Sequence, residues 1–308
     1  MSRVPDFEAW AIFSRVARLR SFSAAAAELN LSPATVSKAV SRLEESLGAA
    51  LIHRSTRTLS LTPTGLELVE QASSLLGAAE ALDDVARSGS AQPRGLVRIS
   101  APVSFGVLHI APLLPGLYDA LPNVTVDLQL DDALTDLVAS GFDVAVRIGW
   151  PRDSTLLARR LFDLRSFLVA SPAYLARHGA PATPHDISAH ACLSYSLLSA
   201  AERWKLVSET GEEVRIDVPA ILTTNSGDAM LPLLHAGRAM AHMPEFMILD
   251  DLATGRLVKV LPHWRMATAG LYLVTPSSGP RPARVTAVLD HLARHLPTRM
   301  GEQGEPDR

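Results

Sequence analysis

Early in the chain the apolar positions keep helical spacing, break, resume, and then alternate. The segment from Ser21 to Gly65, SFSAAAAELNLSPATVSKAVSRLEESLGAALIHRSTRTLSLTPTG, reads as two helices joined by a tight turn, then a short two-stranded wing. The first helix is predicted over roughly Ser23 to Leu29, where Ala24 to Ala27 favour close packing. Asn30 and Leu31 make the turn. Ser32 is an N-cap, and Pro33 takes the first helical position, where its missing N–H costs nothing. Advancing ~100° per residue along Pro33 to Leu47 puts Val36, Val40, Leu43 and Leu47 on one stripe, expected to face inward. Ala34, Lys38, Ser41 and Glu45 lie opposite, flanked by Thr35, Ser37 and Arg42. Gly48 stops the helix, and Leu51 to Arg54 and Leu59 to Leu61 read as short strands around Ser55 to Thr58.

The next pattern is longer. Pro63 to Arg87 has no internal proline, and Leu68, Ala72, Leu75, Ala79, Leu82 and Ala86 recur at alternating spacings of four and three. That is an a/d seam of nearly three heptads, in which alanine lets two helices approach closely. The alternative is a single helix laid on its own domain. Ser88 to Gly95 reads as a hinge. From residue 96 to about 297 strand and helix signals alternate. Strands are expected at Leu96 to Ser100, Val124 to Leu130, Phe142 to Ile148, Ser166 to Ala170, Val214 to Val218, Ala220 to Thr223 and Gly270 to Val274. Helices are expected at Ser104 to Leu121, Asp132 to Ser140, Ala229 to Ala236 and Ala283 to His295. Such alternation implies an α/β sheet of parallel type.

Charge sharpens the picture. Residues 1 to 62 hold eight Lys/Arg against five acids, a balance of +3, while the whole chain carries −3 and the remainder therefore −6. The basic part is the helix-turn-helix part. An outward helix face of small hydroxyl residues with Lys and Arg suits the major groove: small side chains allow close approach, hydroxyls bond phosphates or base edges, and cations neutralise phosphate. The candidate DNA contacts are Ser23, Ser32, Pro33, Ala34, Thr35, Ser37, Lys38, Ser41 and Arg42, with Arg54 and Arg57 at the wing.

These residues resemble the DNA-binding domain of LysR-type transcriptional regulators. The pattern S-F-[ST]-x-A-A-x-x-L falls on Ser21 to Leu29, L-x-x-[ST]-x-x-x-[VL]-S on Leu29 to Ser37, L-E-x-x-L-G on Leu43 to Gly48, and L-x-x-R-x-x-R-x-x-x-L-T-x-x-G on Leu51 to Gly65. Pro33 stands where many relatives carry Gln, and His53 stands near a usual aromatic position. The resemblance implies an all-α winged helix-turn-helix domain over residues 1–62, and a linker or dimerisation helix over 63–88 paired through Leu68, Ala72, Leu75, Ala79 and Leu82. A hinge at 89–95 follows. More weakly, it implies an α/β effector-binding module of periplasmic-binding-protein type. One subdomain is placed at 96–161 plus 267–297 and the other at 162–266, with 298–308 as a disordered tail.

A cleft between two such subdomains lies at strand C-termini and helix N-termini. Ser100, Pro102, Ser104 and Phe105 lead from a strand into a helix, a place for an anion. Arg147 ends a strand and can grip an acid group in bidentate fashion, or pair with an acid such as Asp143. Asn225 and Ser226 open a later helix, and Met240 to Pro244 ends a strand that can bring His242 to the cleft. Ser104 and Asn225 also suit the N-cap role by themselves. Donors predominate in this set, which favours an anionic small-molecule effector.

Composition excludes other classes. At 308 residues, 47% hydrophobic and 20% charged, the chain is long enough for two or three domains with real cores. It has no run of 18 apolar residues and no signal peptide at its start, so neither a membrane span nor export is expected. A single cysteine, Cys192, allows no internal disulfide and fits a reducing cytoplasm, as a lone buried thiol. There is no G-x-S-x-G, no Gly-rich phosphate loop and no H-E-x-x-H. His291 and His295 lie four apart without a third ligand nearby, so no metal and no cofactor is expected. The rival is a solute-binding protein or α/β enzyme carrying a helix-turn-helix. The reading reached is a cytoplasmic, non-enzymatic regulator, a homodimer or homotetramer on an inverted-repeat operator in double-stranded DNA. A small-molecule effector modulates it, and RNA polymerase is a further candidate partner.

Overall fold

The computed structural model of the chain describes residues 4–54, 59–87, 92–133, 137, 140–149, 156–197, 203–266, 269–276 and 281–303. Arg57, residues 88–91 of the hinge and much of the helix expected at Asp132 to Ser140 lie outside them; Asp132, Ala133 and Leu137 within that stretch are not helical.

The N-terminal domain packs α1 (Phe7–Leu19), α2 (Phe22–Leu29) and α3 (Pro33–Leu47) around Ile12, Phe13, Val16, Ala25, Val36, Val40 and Leu43. Each helix has a local reason to start. Asp6, Ser21 and Ser32 cap them, their side chains accepting from the amides of Ala9, Ala24 and Thr35. Asn30 and Gly48 end α2 and α3 in left-handed conformation. Leu47, expected inside, is 41% exposed: the stripe drifts off the core in the last turn, next to the stop.

The wing pairs β1 (Ile52–Arg54) with β2 (Leu59–Leu61) in antiparallel register. Glu44 of α3 holds its entrance, accepting from the amides of Leu51 and Ile52 at 2.8 and 3.1 Å. Buried Thr62 donates to the Ala50 carbonyl at 2.7 Å and accepts from the Gly65 amide at 3.0 Å. A Cβ on Gly65 would stand 2.1 Å from the Leu51 carbonyl oxygen, so this position admits no side chain.

A 25-residue helix, α4 (Pro63–Arg87), follows. Its start belongs to the N-terminal core through Val69 and Ala72, with Leu68 packed alongside. Two residues of the expected seam thus stabilise their own domain. Leu75 and Leu82 are 37% and 70% exposed and Ala79 is exposed, so none of the described residues covers them.

Subdomain I is a five-stranded sheet in the order β4-β3-β5-β15-β6, built from β3 (Gly95–Ala101), β4 (Val124–Leu130), β5 (Val144–Ile148), β6 (Leu156–Leu164) and β15 (Ala269–Pro276). Strands β3, β4 and β5 are parallel, and β15 runs antiparallel to both neighbours. Residues 162 to 164, expected in the second subdomain, stay paired to β15 in the first. After β3 comes a broken helical run: α5 (Val103–Phe105), a π-turn at Gly106–Ile110, a 3₁₀ turn at Ala111–Leu113, and α6 (Leu114–Ala120). Val103–Ala120 is long and apolar enough to cross a membrane, with mean hydropathy 1.2. Here it lies over the subdomain core through Phe105, Ile110 and Leu117. The closing helix α10 (Ala283–Gln303) packs Val285, Val288, Leu292 and Leu296 on the same core. It continues past Pro297, so residues 298 to 303 are helical and not tail.

Subdomain II starts with β7 (Ser166–Ala170), α7 (Pro172–His178) and β8 (Cys192–Tyr195). Next come β9 (Arg203–Ser208), β10 (Glu213–Asp217), β11 (Ala220–Thr224) and α8 (Leu231–His235). Then follow β12 (Met240–Pro244), α9 (Glu245–Ala253), β13 (Val258–Lys259) and β14 (Trp264–Met266). Its main sheet runs β11-β8-β12-β7-β13, and β10-β9-β14 form a second, antiparallel sheet. Both large sheets are mixed where the sequence suggested parallel ones, because each time the chain crosses between subdomains a strand enters from the opposite direction. Cys192 is fully buried, and that burial pushes its thiol up to about 12.

Candidate DNA interface and effector cleft

The face of α3 turned away from the core carries Ala34, Thr35, Lys38 and Arg42, all exposed, beside the exposed N-terminal residues Ser32 and Pro33. Ser23 is exposed at the start of α2. Not every candidate is free to reach out. Ser32 and Thr35 share a hydroxyl contact of 2.8 Å while Ser32 also caps the helix. Ser41 donates back to the Ser37 carbonyl at 3.0 Å. Arg42 places its Nε 2.6 Å from Asp6, which holds the Asp6 carboxyl below its usual range and ties α3 to the cap of α1. Arg54 lies on β1, paired with Leu59.

The C-terminal ends of β3, β4 and β5 meet one edge of subdomain I, and the order β4-β3-β5 puts a switch point between β3 and β5. Ser100 and Arg147 sit there, 2% and 9% exposed, with Arg147 donating to the Ser100 hydroxyl at 3.1 Å. Burial lowers the Arg147 pKa and nearby Asp131 acts against it. Asp143 is not its partner, having turned to the Arg98 amide at 2.8 Å.

Four sequence expectations change here. Ser104 does not cap a helix; it lies inside α5 and donates to Asp228 of subdomain II at 2.6 Å, a direct bridge between subdomains. Asn225 does not cap α8, which begins at Leu231 after a turn; Asn225 is exposed, and the Ser226 amide donates to Thr224 Oγ1 at 3.1 Å. Phe105 faces inward, edge-on to Phe246 of α9 at 5.4 Å, so it seals the two subdomains together. His242 sits within β12 opposite Leu168, its Nε2 enclosed without a hydrogen-bond partner, and burial lowers its pKa to about 4. A neutral, enclosed ring does not serve a cleft as a cation. Pro102 is half-buried at the head of α5.

The acids here were not anticipated. Asp132 accepts from the Val103 amide at 3.0 Å, and burial, with Asp228 and Asp131 near, raises its pKa. Tyr195, ending β8, is pushed up to about 12 by burial and by Asp132. The cleft therefore sets one guanidinium beside three carboxylates, and two of the donors expected for an anion, the Val103 amide and the Ser104 hydroxyl, are taken by Asp132 and Asp228. Strand order was the missing signal: Asp131 and Asp132 follow β4, whose end lies beside Ser100 only once β4 pairs with β3. On α10, the His291 and His295 rings stack at 4.4 Å, and among the described residues no three metal-type ligands gather anywhere.

A winged helix-turn-helix domain joined by a long helix to a two-lobed α/β module defines a ligand-binding class of transcription regulator. Residues 7–66 match the family described as bacterial regulatory helix-turn-helix protein, lysR family, and residues 90–297 match the LysR substrate binding domain. The chain belongs to the LysR family of transcriptional regulators. It is 37% identical to the transcriptional regulator PtxR of Pseudomonas aeruginosa over 285 residues, 92% of this chain and 91% of that one. It is 31% identical to the probable regulator LtrA of Klebsiella pneumoniae, covering 99% of both. Among solved structures it resembles CrgA of Neisseria meningitidis, with TM-score 0.57 and 28% identity over 97% of this chain and 99% of that one. It also resembles the full-length virulence activator AphB of Vibrio cholerae, with TM-score 0.61 and 25% identity over 95% of this chain and all of that one. These relatives are regulators, and the chain is a regulator and not an enzyme; its substrate-binding domain implies a small-molecule effector.

Proposed function

We propose that this protein acts in the cytoplasm and binds an inverted-repeat operator as a dimer or a pair of dimers. In this reading α3 enters the major groove and the wing touches backbone. Copies pair through the outward stripe of α4 at Leu75, Ala79 and Leu82, which is exposed among the described residues. Contact with RNA polymerase follows naturally if the regulator activates. In this reading the chain divides into the winged domain to residue 62, a linker helix, a hinge, and two effector subdomains parted near residues 164 and 267, a division supported by the pairing of residues 162 to 164 with β15.

The effector carries an acid group. The observation behind this is Arg147, a guanidinium 9% exposed at the switch point of subdomain I, steadied by Ser100. Buried guanidinium groups are suited to bidentate carboxylate recognition. The surrounding Asp131, Asp132 and Asp228 narrow the class to acids that also offer donors, such as hydroxy or amino acids, since a plain dicarboxylate would meet like charge. Thermal-shift measurements with small organic acids test it. Stabilisation by such acids, reduced in Arg147→Ala, is expected. Hits confined to amines or neutral molecules, or equal stabilisation of wild type and variant, would overturn the acid-group reading.

A further inference from the structure

Arg42 lies on the outward face of α3, half exposed, and its Nε donates to Asp6 Oδ2 at 2.6 Å. Asp6 is 36 positions away, at the N-cap of α1. Its other oxygen, Oδ1, accepts from the Ala9 amide at 3.0 Å. The carboxylate is thus fixed by two bonds, one to each oxygen. Glu8, exposed in the first turn of α1, adds a second negative charge near Arg42. Lys38, one turn earlier on the same face of α3, is exposed and has no ion-pair partner among the described residues.

An exposed ion pair of this kind contributes little to stability. Its effect is on direction. A guanidinium donates from two edges: Nε with one terminal nitrogen, or the two terminal nitrogens together. Asp6 occupies the Nε side, which leaves the edge with both terminal nitrogens for a partner outside the domain. That edge carries two parallel donors, the pattern that matches O6 and N7 of guanine in the major groove. A side chain held before binding loses less freedom when it makes the contact, and its planar fork discriminates more sharply among partners. An acid on the DNA side of a basic domain also repels phosphate on every sequence alike. Asp6 therefore helps only where Arg42 meets its matching base.

We propose that Asp6 is a specificity-determining positioning residue of the DNA interface: it holds Arg42 so that the guanidinium reads a guanine edge in the operator. The proposal rests on the placement of α3 in the major groove. Asp6→Asn isolates the role. Asparagine caps helices as well as aspartate does, but it has a single acceptor oxygen. With that oxygen on the Ala9 amide, the Arg42 anchor is lost while α1 keeps its start.

The test uses the full-length protein and an operator that wild type selects from random duplex DNA, with a scrambled duplex as control, in fluorescence anisotropy at constant salt. Asp6→Asn is expected to weaken operator binding about tenfold, the size of one good bidentate contact, and to leave the scrambled duplex bound equally or more tightly. Its melting temperature should match wild type. In an Arg42→Ala background Asp6→Asn should add nothing on the operator, and selection with Asp6→Asn should return sites with relaxed preference at one guanine. Unchanged operator affinity in Asp6→Asn, where Arg42→Ala is weakened, would overturn the positioning role and leave α3 in the groove. Equal losses on operator and scrambled DNA, the mark of a phosphate contact, would also overturn it, as would the same loss with and without Arg42. Unchanged affinity in Arg42→Ala would remove the proposal together with Arg42's place in the interface.

Discussion

Lys38 and Arg42 share the outer face of α3 but differ in surroundings. Lys38 is exposed, whereas Arg42 is held by Asp6 and so projects from a fixed base. Lys38→Ala and Arg42→Ala are each expected to weaken operator binding by ~1–3 kcal/mol where a base edge is read, measured by fluorescence anisotropy. Normal affinity in a folded double variant would refute the assigned face. His242 yields a prediction of a different kind. The unfolded chain protonates this ring near 6.5 and the folded one near 4, so between those values the unfolded state binds more protons, and stability rises with pH and is lost as pH falls through that window. Its contribution amounts to about 2 kcal/mol between pH 7 and pH 5. Urea unfolding of His242→Leu at the two pH values should show a correspondingly smaller loss than wild type, and parallel losses would contradict the burial. The sequence showed Arg147 and Ser104 as polar residues at element ends, but it hid their partners. Asp228 lies 124 positions from Ser104, and no local pattern joins them.

Elements that depend on near neighbours were the readable ones. Ser32, Pro33 and Gly48 bound α3 as their local chemistry dictates, and Ser32→Ala should cost ~1 kcal/mol by thermal unfolding. The mixed sheets were not readable, because strand direction is set by the two crossings between subdomains rather than by alternation within a strand. The α4 repeat was half readable. Its period was right, yet a single seam serves two surfaces: Leu68 and Ala72 join the N-terminal core, and Leu75, Ala79 and Leu82 face out. This division separates stability from assembly. Leu75→Asp should leave the winged domain folded while lowering the sedimentation mass and weakening operator binding together, because a charge in a paired seam is strongly disfavoured. If mass and DNA binding are both unchanged, α4 does not pair through this stripe.

At the scale of the whole molecule, the two effector subdomains are joined by direct contacts between their own side chains. Phe105 meets Phe246, and Ser104 donates to Asp228 at 2.6 Å across the cleft. Closure therefore has an internal contribution, which an effector adds to or replaces. The Ser104 hydroxyl is buried and its acceptor is a carboxylate, and such charge-assisted bonds contribute ~1.5–3 kcal/mol each. Asp228 also faces Asp132, so removing its charge relieves a repulsion while breaking the bridge. A double-mutant cycle separates the two effects. Ser104→Ala removes only the bond, Asp228→Asn removes mainly the charge, and the coupling between them reports the bridge itself. That coupling should be on the order of 1 kcal/mol or more in the unfolding free energy of the full chain. In small-angle scattering, Ser104→Ala should also give a larger radius of gyration than wild type, since the open arrangement then loses less. Strictly additive effects, with scattering unchanged, would mean that the bridge is not what holds the cleft closed and that the aromatic contact at Phe105 carries the closure instead.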